Sequence, residues 1–301
     1  MTTKPIVLLV GITGMLGYKI AEAILAKDAM AVRAIVRAGG SSDPSKQAKL
    51  DELNVSFVEG DLLNPASLSK ACEGVEAIVS AVSGDEEMMV TGQINLIEAA
   101  AAKGVRRMIP SDYSVDYRKL DWGDNYNLDM RKKVFAALES SSIDYTLILN
   151  GCFTEILFGS FLNIFDFAAG TFNYWGDGNT LFDVTTTDDT AKLIAEAIAD
   201  PTMANRVLQV AGDVITMKQL LETYQTVTGK KLIENQLGSV EDLTAWIART
   251  KAIATSPYEY LPQQYLFTMV SGKGKLDDIA NDRYPQIELT SMSEYIRQAK
   301  L

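Results

Sequence analysis

Three glycines placed directly after an apolar segment constrain this chain more than any other feature of its sequence. The segment Ile6–Val10 is typical of a buried strand, and apolar residues at helical spacing predict an amphipathic helix after the third glycine. Such a turn lets backbone N–H groups and the helix N-terminus approach a pyrophosphate, although an ordinary tight turn would use glycines too. We therefore predict a dinucleotide-binding turn formed by Gly11, Thr13, Gly14, Met15, Leu16 and Gly17.

Short apolar runs alternate with helical patterns throughout the first half of the chain. Runs rich in Val, Ile and Leu are typical of parallel strands that are buried on both faces. Their alternation with helices indicates an α/β fold with a doubly wound parallel sheet. The predicted strands are Ile6–Val10, Val32–Val36, Val55–Val58, Ala77–Val82, Arg107–Ile109 and Tyr145–Leu149, and the predicted helices follow Gly17 and occupy Thr91–Lys103 and Arg131–Ser140.

The regular alternation of apolar runs and helical patterns ends after Asn150. We predict a dinucleotide-binding domain over residues 1–150 and a smaller α/β lobe over residues 151–301, with a segment near 180–211 returning to the first domain. Between Cys152 and Trp175 the chain is rich in aromatic residues, which either line an apolar pocket or pack a second core. The other predicted elements are a helix at Asp188–Ala199 with Thr187 or Asp188 as N-cap, a strand at Val207–Ala211, and capping boxes at Thr216–Gln219 and Ser239–Asp242.

The composition disfavours several classes of function. Lys and Arg number 28 against 39 Asp and Glu, so the net charge of −11 disfavours a nucleic-acid partner. With no histidine and two cysteines, Cys72 and Cys152, a His/Cys zinc site, a disulfide framework and a histidine-activated nucleophile are excluded, and we expect no metal. The sequence shows neither an apolar stretch long enough for a membrane span nor a secretory cleavage site, so we expect a cytoplasmic protein.

The end of the second predicted strand indicates which dinucleotide the turn prefers. Arg37 stands where an NAD-binding domain carries an acid for the ribose 2′-hydroxyl, and an arginine there can pair with a 2′-phosphate, as in NADP. Lys46 either supplies a second cation or is a solvated surface charge. Asp61 after the third strand either lies near the adenine or forms a plain turn. Ser80 and Val82 fall where sheet topology places the middle of the cofactor.

Short motifs along most of the chain occur in an order that is typical of one family. They are Gly11-Ile-Thr-Gly14-Met-Leu-Gly17, Arg37, Ser45-Lys46-Gln47, Val58-Glu-Gly-Asp61, Gln93, Ile109-Pro-Ser-Asp-Tyr113, Ile143-Asp-Tyr-Thr146, Asn150-Gly-Cys-Phe153 and Gly176-Asp-Gly-Asn179. Together they resemble the NmrA-like and isoflavone-reductase-like branch of the atypical short-chain dehydrogenases/reductases. The resemblance implies an NADP-binding Rossmann domain and a smaller C-terminal lobe, with an aromatic or otherwise apolar small molecule bound between them. It also implies that Arg37 and Lys46 hold the 2′-phosphate and that Asn150 and Phe153 lie beside the nicotinamide.

The candidate catalytic residues depart from the patterns of related enzymes. No tyrosine stands four residues before a lysine, so the Tyr-x-x-x-Lys pair of typical short-chain dehydrogenases is missing. Arg131 occupies the position of the lysine that isoflavone-reductase-like enzymes use, and it can donate hydrogen bonds to an oxyanion but is a poor proton donor. Lys132 and Tyr113 are candidate proton donors, although a solvated helix face and a loop cover are alternative explanations for them. Ser111 can orient a substrate oxygen.

These observations support two functions of different classes. The first is an NADP(H)-dependent oxidoreductase that transfers hydride to or from an apolar, aromatic small molecule, with the Cys152–Trp175 segment suited to form a pocket wall. The second is a non-catalytic NADP-binding redox sensor that acts on a protein partner, which the missing catalytic pair favours. We favour the oxidoreductase.

Overall fold

The structure is a computed structural model that describes residues 4–37, 48 and 50–301. The chain forms two compact units, each assembled from separate chain segments. Unit 1 comprises the described residues of Met1–Asp112, Met130–Ile148 and Thr190–Leu208, and unit 2 comprises Tyr113–Asp129, Leu149–Asp189 and Gln209–Leu301. Residues 113–129 precede the boundary that the sequence predicts at residue 150, yet they belong to unit 2. The return of residues 190–208 to unit 1 lies within the expected returning segment.

The strands of unit 1 form one sheet of seven strands, in the order β11-β6-β5-β4-β1-β2-β3. Neighbours from β3 through β6 pair in parallel, which confirms the doubly wound α/β fold. The chain lays β2 and β3 on one side of β1 and then crosses to lay β4, β5 and β6 on the other. The reversal lies between β1 and β4, where sheets of this kind bind ligands at the carboxyl ends of the strands. These strands are β1 (Ile6–Val10), β2 (Ala31–Val36), β3 (Val55–Glu59), β4 (Val75–Ser80), β5 (Arg107–Ile109), β6 (Asp144–Leu149) and β11 (Arg206–Gln209).

The helices associated with this sheet bury their apolar faces on it. In α1 the buried residues are Gly17, Ile20, Ala21 and Ile24, as expected for one stripe of an amphipathic helix. A core formed by apolar strand and helix residues, including Leu8, Ile78 and Leu96, lies within unit 1. Within the described residues, no helix combines the length and the apolarity needed to cross a membrane. The helices are α1 (Met15–Ala26), α2 (Pro65–Ala71), a π-helix (Glu87–Gly92), α3 (Gln93–Ala102), α4 (Tyr126–Glu139) and α6 (Thr187–Ala199).

Unit 2 contains two sheets of three strands each, in the orders β12-β10-β7 and β13-β9-β8. Both sheets are mixed, because β10 pairs in parallel with β7 and antiparallel with β12, while β9 pairs in parallel with β13 and antiparallel with β8. The strands are β7 (Cys152–Phe153), β8 (Phe165–Asp166), β9 (Thr171–Trp175), β10 (Phe182–Thr185), β12 (Asp213–Ile215) and β13 (Ile233–Gly238). Its helices are α5 (Thr154–Leu157), α7 (Met217–Thr228), α8 (Val240–Ile253), α9 (Leu261–Val270) and α10 (Met292–Ala299).

The aromatic segment from Cys152 to Trp175 mainly packs the core of unit 2. Phe165, Phe172 and Tyr174 are buried in that core, and Phe158 stacks on Phe165 at 4.6 Å between ring centroids. Two other rings of the segment stay exposed, Phe161 at 43% and Phe167 at 47% of their surface. Of the two interpretations of this segment, the structure therefore supports a second core for most of its rings.

Several element boundaries differ from those that the sequence predicts. Strand β4 ends at Ser80 rather than at Val82, and β11 spans Arg206–Gln209 rather than Val207–Ala211. Helix α4 begins at Tyr126, five residues before the predicted start, because Asn125 accepts a hydrogen bond from the backbone of Leu128 and so begins the helix earlier. The N-cap of α6 is Thr186, whose hydroxyl accepts from the backbone of Asp189, and not Thr187 or Asp188. Both predicted capping boxes, at Thr216 and Ser239, are confirmed.

Candidate active site

The glycine turn between β1 and α1 packs against the end of β4. Gly11 has a φ of +91°, and a Cβ there would stand 2.5 Å from the carbonyl oxygen of Ala81. A Cβ at Gly17 would stand 2.1 Å from the carbonyl oxygen of Gly11, whereas a Cβ at Gly14 would meet that same oxygen at 3.3 Å and no other described atom within 4 Å beyond its chain neighbours. The fold itself therefore requires Gly11 and Gly17, while Gly14 keeps the space in front of the helix open.

The first turn of α1 begins with backbone N–H groups that have no acceptor inside the helix. The N–H of Gly14 donates to the carbonyl of Gly11 at 3.0 Å, so the N–H groups after it are the candidate donors to a ligand. Gly14 is the N-cap residue, no described side chain forms a cap hydrogen bond there, and the turn contains no acidic residue. Thr13, Gly14 and Met15 are exposed, and Leu16 is half-buried. Unsatisfied N–H groups at the positive end of a helix favour a bound anion. The residues of this turn therefore fit the pyrophosphate of a dinucleotide.

The residues predicted to select the nucleotide follow β2 and β3. Arg37 is exposed directly after β2, at the carboxyl edge of the sheet. Lys46 lies outside the described residues. Asp61 is exposed, but its carboxylate accepts a hydrogen bond from the backbone of Leu63 at 2.9 Å, and its backbone N–H donates to the hydroxyl of Ser67 at 3.0 Å. These bonds show that Asp61 forms the plain turn, and its contact with an adenine stays a prediction.

A chain of hydrogen bonds links the glycine turn to Arg131 along the carboxyl edge of the sheet. The backbone N–H of Ala81 donates to the carbonyl of Val10, directly before the turn, at 2.8 Å. The hydroxyl of Ser111 donates to the carbonyl of Val82 at 2.8 Å, and Nε of Arg131 donates to the carbonyl of Ser111 at 3.1 Å. All of these residues belong to unit 1. The structure therefore brings Val82, Ser111 and Arg131 to the edge that carries the glycine turn, with Ser80 buried just behind them at the end of β4.

The two lysines after Arg131 occupy different environments. Lys133 is exposed and forms an ion pair with Glu86, which supports its interpretation as part of a solvated helix face. Lys132 is half-buried on the same helix, and its role as a proton donor stays a prediction. The hydroxyl of Ser111 donates to the backbone carbonyl of Val82, so it helps to position the backbone at this edge.

Three further predicted site residues belong to unit 2. Tyr113 is buried, with 5% of its surface exposed. Asn150 is fully buried; its backbone N–H donates to the carbonyl of Ser114 at 3.0 Å, and its carbonyl accepts from the hydroxyl of Thr185 at 2.8 Å. Phe153 lies in β7, paired with Thr185 of β10. Their roles toward a nicotinamide stay predictions.

Beside Asn150 lies an ion pair between the buried Asp183 and the half-buried Lys275, which the sequence did not reveal. Gly151 has a φ of +69°, and a Cβ there would stand 2.2 Å from the carbonyl oxygen of Asp183. The carboxylate of Asp183 accepts from Nζ of Lys275 at 2.5 Å and from the backbone N–H of Leu276 at 2.8 Å. Asp183 and Lys275 are far apart in the sequence, so no local sequence pattern predicts that they form an ion pair. The pair fixes the chain around Leu276 to β10, next to Gly151.

Gln93 is the residue at this edge whose importance sequence analysis underestimated. It is fully buried, its side-chain amide donates to the carbonyl of Met89 at 2.9 Å, and its side-chain oxygen accepts from the backbone N–H of Ser111 at 3.2 Å. A signal existed, because Gln93 shares the helix face of the buried residues Leu96 and Ile97. A polar side chain on an apolar face requires buried partners, although sequence alone does not identify them.

Both cysteines are free thiols in apolar surroundings. Burial raises the pKa of Cys152 to about 12, with a further contribution from the nearby carboxylate of Glu155. Burial likewise raises the pKa of Cys72 to about 11, against the opposing effect of Lys103 and Arg33. Thiols of such high pKa are poor nucleophiles, as expected for core residues. Among the described residues, no three His, Cys, Asp or Glu side chains group together to hold a metal ion.

Comparison with known proteins places this geometry in a family. Pinoresinol reductase 1 of Arabidopsis thaliana is 26% identical, over 98% of this chain and 97% of its own length. Isoflavone reductase homolog P3 of the same plant is also 26% identical, over 98% of both chains. The structure described as AtPrR2 with NADP+ and (+)pinoresinol has the same fold, with a TM-score of 0.84 at 24% identity over 99% of both chains. The model of the NmrA-like family matches residues 3–296, so nearly the whole chain is accounted for. The chain belongs to the NmrA-like family.

Proposed function

We propose that this protein is an NADP(H)-dependent reductase that transfers hydride between the nicotinamide and an aromatic small molecule of the phenylpropanoid type. The observation that carries the proposal is the glycine turn, which opens α1 without a side-chain cap at the point where the strand order of the sheet reverses. The relatives support the chemistry, because they carry the names of reductases and match this chain over nearly its full length.

In the proposed complex, unit 1 holds the dinucleotide. Backbone N–H groups of the first turn of α1, at Met15 and Leu16, donate to the pyrophosphate, and Gly14 allows close approach because it has no side chain. The guanidinium of Arg37 pairs with the 2′-phosphate, and Lys46 is proposed as a second cation there. When bound, NADPH supplies the hydride, and the protein supplies binding and orientation.

Arg131 is proposed to stabilise negative charge on a substrate oxygen. Its Nε is bound to Ser111 at the carboxyl edge of the sheet, which fixes the plane of the guanidinium. Arginine carries five N–H donors, so one side chain can hold Ser111 and also bind a substrate oxygen. An arginine side chain stays protonated in proteins and does not give up its proton, so the proton comes from Tyr113, Lys132 or water.

The substrate class is proposed from the relatives. Pinoresinol and isoflavones, which the names of the relatives mention, are aromatic and carry oxygen substituents. At 26% identity the relatives support this class and do not identify one compound. The comparisons give no support to the alternative of a non-catalytic redox sensor.

A kinetic comparison of Arg131 variants tests the proposal. Loss of NADPH absorbance would be followed in a stopped-flow instrument with a lignan, an isoflavone, a quinone and an aromatic aldehyde as candidate substrates. Removing an oxyanion donor typically lowers turnover about 100-fold to 1000-fold, so Arg131→Ala should do so with NADPH affinity nearly intact. Arg131→Lys should retain activity, because the resemblance places a lysine at this position in related reductases.

Lys133→Ala is the matched control, because Lys133 lies on the same helix but pairs with Glu86 at the surface. It should leave turnover unchanged. Turnover that is indifferent to both Arg131 substitutions would keep the reductase but remove the role of Arg131. If no compound consumes NADPH while NADPH binding alters affinity for a protein partner, the sensor is the correct function.

A further inference from the structure

The side chain of Gln93 joins two secondary-structure elements at the proposed active-site edge. Its Nε2 donates to the carbonyl of Met89 in the π-helix, and its Oε1 accepts from the backbone N–H of Ser111, which follows β5. Both Gln93 and Ser111 are buried, with 0% and 4% of their surface exposed. Both bonds are shielded from solvent, so water cannot replace the amide in either of them.

The π-helix explains how Gln93 reaches the carbonyl of Met89. In a regular α-helix that carbonyl would accept from the backbone N–H of Gln93, but here this N–H is directed to Val90. The side-chain amide of Gln93 takes over the bond to Met89 instead. Single π-helical turns are uncommon and occur often at functional sites.

Ser111 is the junction through which Gln93 contacts the candidate catalytic group. Its backbone N–H is held by Gln93, its hydroxyl donates to Val82, and its carbonyl accepts from Nε of Arg131. The backbone position of Ser111 therefore sets where the guanidinium of Arg131 is anchored. A shift of Ser111 by a few tenths of an ångström would move that anchor by the same amount.

We infer that Gln93 is a positioning residue that holds Ser111, and through its carbonyl the guanidinium of Arg131, in place for the reaction. The catalytic part of this inference rests on the proposed function. Gln93 itself is expected to touch neither substrate nor cofactor. The whole chain of contacts lies in unit 1.

The structural part is tested in the protein without substrate, by NMR on wild type and the Gln93→Met variant. Methionine fills a similar volume but offers the backbone of Ser111 no acceptor. The amide of Ser111 should exchange with solvent at least about tenfold faster, because a buried hydrogen bond is lost. The Nε–H signal of Arg131, identified by its absence from Arg131→Lys, should shift or broaden.

Thr146→Val is the matched control. Its buried hydroxyl donates to the carbonyl of Met203 at 2.7 Å, so this variant also loses one buried side-chain bond in unit 1. It should lower stability without changing either NMR signal. If Gln93→Met also leaves both signals unchanged, the positioning role is overturned.

A second variant, Gln93→Glu, provides a rescue that depends on pH. A protonated carboxyl can donate to Met89 and accept from Ser111, so it reproduces both bonds of the glutamine. The ionised form has no donor for Met89, and burial raises the pKa of such a carboxyl. Arg131 stays charged throughout. The turnover of Gln93→Glu relative to wild type should therefore be close to normal at low pH and should fall as pH rises; a constant ratio would contradict the inference.

Combination with Arg131→Ala tests whether Gln93 acts through the guanidinium. Gln93→Met alone should lower kcat about tenfold to 100-fold, with the KM for NADPH changed less than about twofold. In the Arg131→Ala background the same substitution should have no more than about a twofold effect. Equal effects in both backgrounds would overturn action through Arg131. If wild type reduces nothing, the proposed function fails, and the NMR result still decides whether Gln93 positions Arg131.

Discussion

Arg37 gives a test of nucleotide choice at the scale of one side chain. It lies exposed after β2, and the proposed complex places there the 2′-phosphate of NADPH, an ionic partner that NADH lacks. Arg37→Ala should weaken NADPH binding at least about tenfold and leave NADH binding nearly unchanged, because a charge-assisted hydrogen bond is worth roughly 1.5 to 3 kcal/mol. Isothermal titration calorimetry with both nucleotides measures this difference.

Arg33 is a suitable control for that measurement, because it lies in β2, close before Arg37, but donates to the carbonyls of Ala71 and Glu73 at the end of α2. Arg33→Ala should lower the free energy of unfolding and leave the preference for NADPH over NADH intact. Equal affinities of the wild type for the two nucleotides would remove the role of Arg37.

The cysteines allow a prediction about reactivity. Because burial raises the pKa of Cys152 to about 12 and that of Cys72 to about 11, very little thiolate forms near neutral pH. At about pH 8 the folded protein should react with iodoacetamide at least about 100-fold more slowly than the unfolded chain. Mass spectrometry after timed quenching would measure the rate at each cysteine; rapid labelling of folded Cys152 would contradict its raised pKa.

The raised pKa of Cys152 also predicts a loss of stability at alkaline pH. The unfolded thiol of Cys152 ionises around its ordinary pKa of 9.0, while the folded thiol stays protonated up to about pH 12. The folded state is therefore favoured fully below pH 9 and progressively less as pH rises toward 12. Urea unfolding at a series of pH values should show this decline, and Cys152→Ala should reduce it.

The role of an individual residue could be predicted from sequence where its hydrogen-bond partners are close to it along the chain. The Gly-Asp-Gly motif predicts a turn, and Asp177 accepts from the backbone of Asn179 at 2.8 Å. The hydrogen-bond partners of Gln93 could not be predicted, because they lie in a preceding π-helix turn and after a different strand. Predicting such partners requires knowledge of tertiary contacts that one sequence does not contain.

At the scale of the secondary-structure elements, Gly14 and Gly17 at the start of α1 have different roles. Gly14→Val should abolish binding of both nucleotides but leave the circular dichroism spectrum nearly unchanged and lower stability less than a change at Gly17, because its Cβ would meet only the carbonyl oxygen of Gly11, at 3.3 Å. Gly17→Ala should instead destabilise the fold, because its Cβ would stand 2.1 Å from the carbonyl oxygen of Gly11. Calorimetry and chemical denaturation measure the two effects; nucleotide binding retained by Gly14→Val would mean that the dinucleotide lies elsewhere.

Capping chemistry shows what element boundaries can and cannot be predicted. The capping boxes at Thr216 and Ser239 each have both partners within three residues, and both were identified from sequence. At α6 several capping residues follow one another, and the structure uses Thr186 rather than its neighbours. The π-helix at Glu87–Gly92 has no composition that distinguishes it from an α-helix, so only the structure reveals it.

At the scale of the whole molecule, binding should couple to stability. A ligand that binds only the folded state at about 100 times its Kd adds roughly 2.7 kcal/mol, which corresponds to an increase in Tm of about 5 °C for a chain of this size. NADPH should produce this increase, and NADH at the same concentration should produce less. Differential scanning calorimetry measures both, and Gly14→Val should show neither. Equal increases with the two nucleotides would contradict the proposed selectivity.

Sequence alone predicted the parallel sheet and most of its strands, because long apolar runs such as Ile6–Val10 can only be buried on both faces. It placed one boundary near Asn150, where composition changes, and a returning segment near residues 180–211. In the structure residues 190–208 belong to unit 1, and residues 113–129 belong to unit 2. The sequence did not indicate the placement of residues 113–129, since only tertiary contacts assign that segment.

The late return of the chain to unit 1 has a consequence for synthesis on the ribosome. The outer strand β11 and helix α6 emerge only after about two thirds of the chain has been made, yet they belong to the same unit as the glycine turn. Translation therefore exposes an incomplete sheet, whose strand β6 still lacks its outer neighbour, until Gln209 has left the exit tunnel. Nascent chains arrested before that residue should present a bare sheet edge to chaperones, and those arrested well beyond it should not.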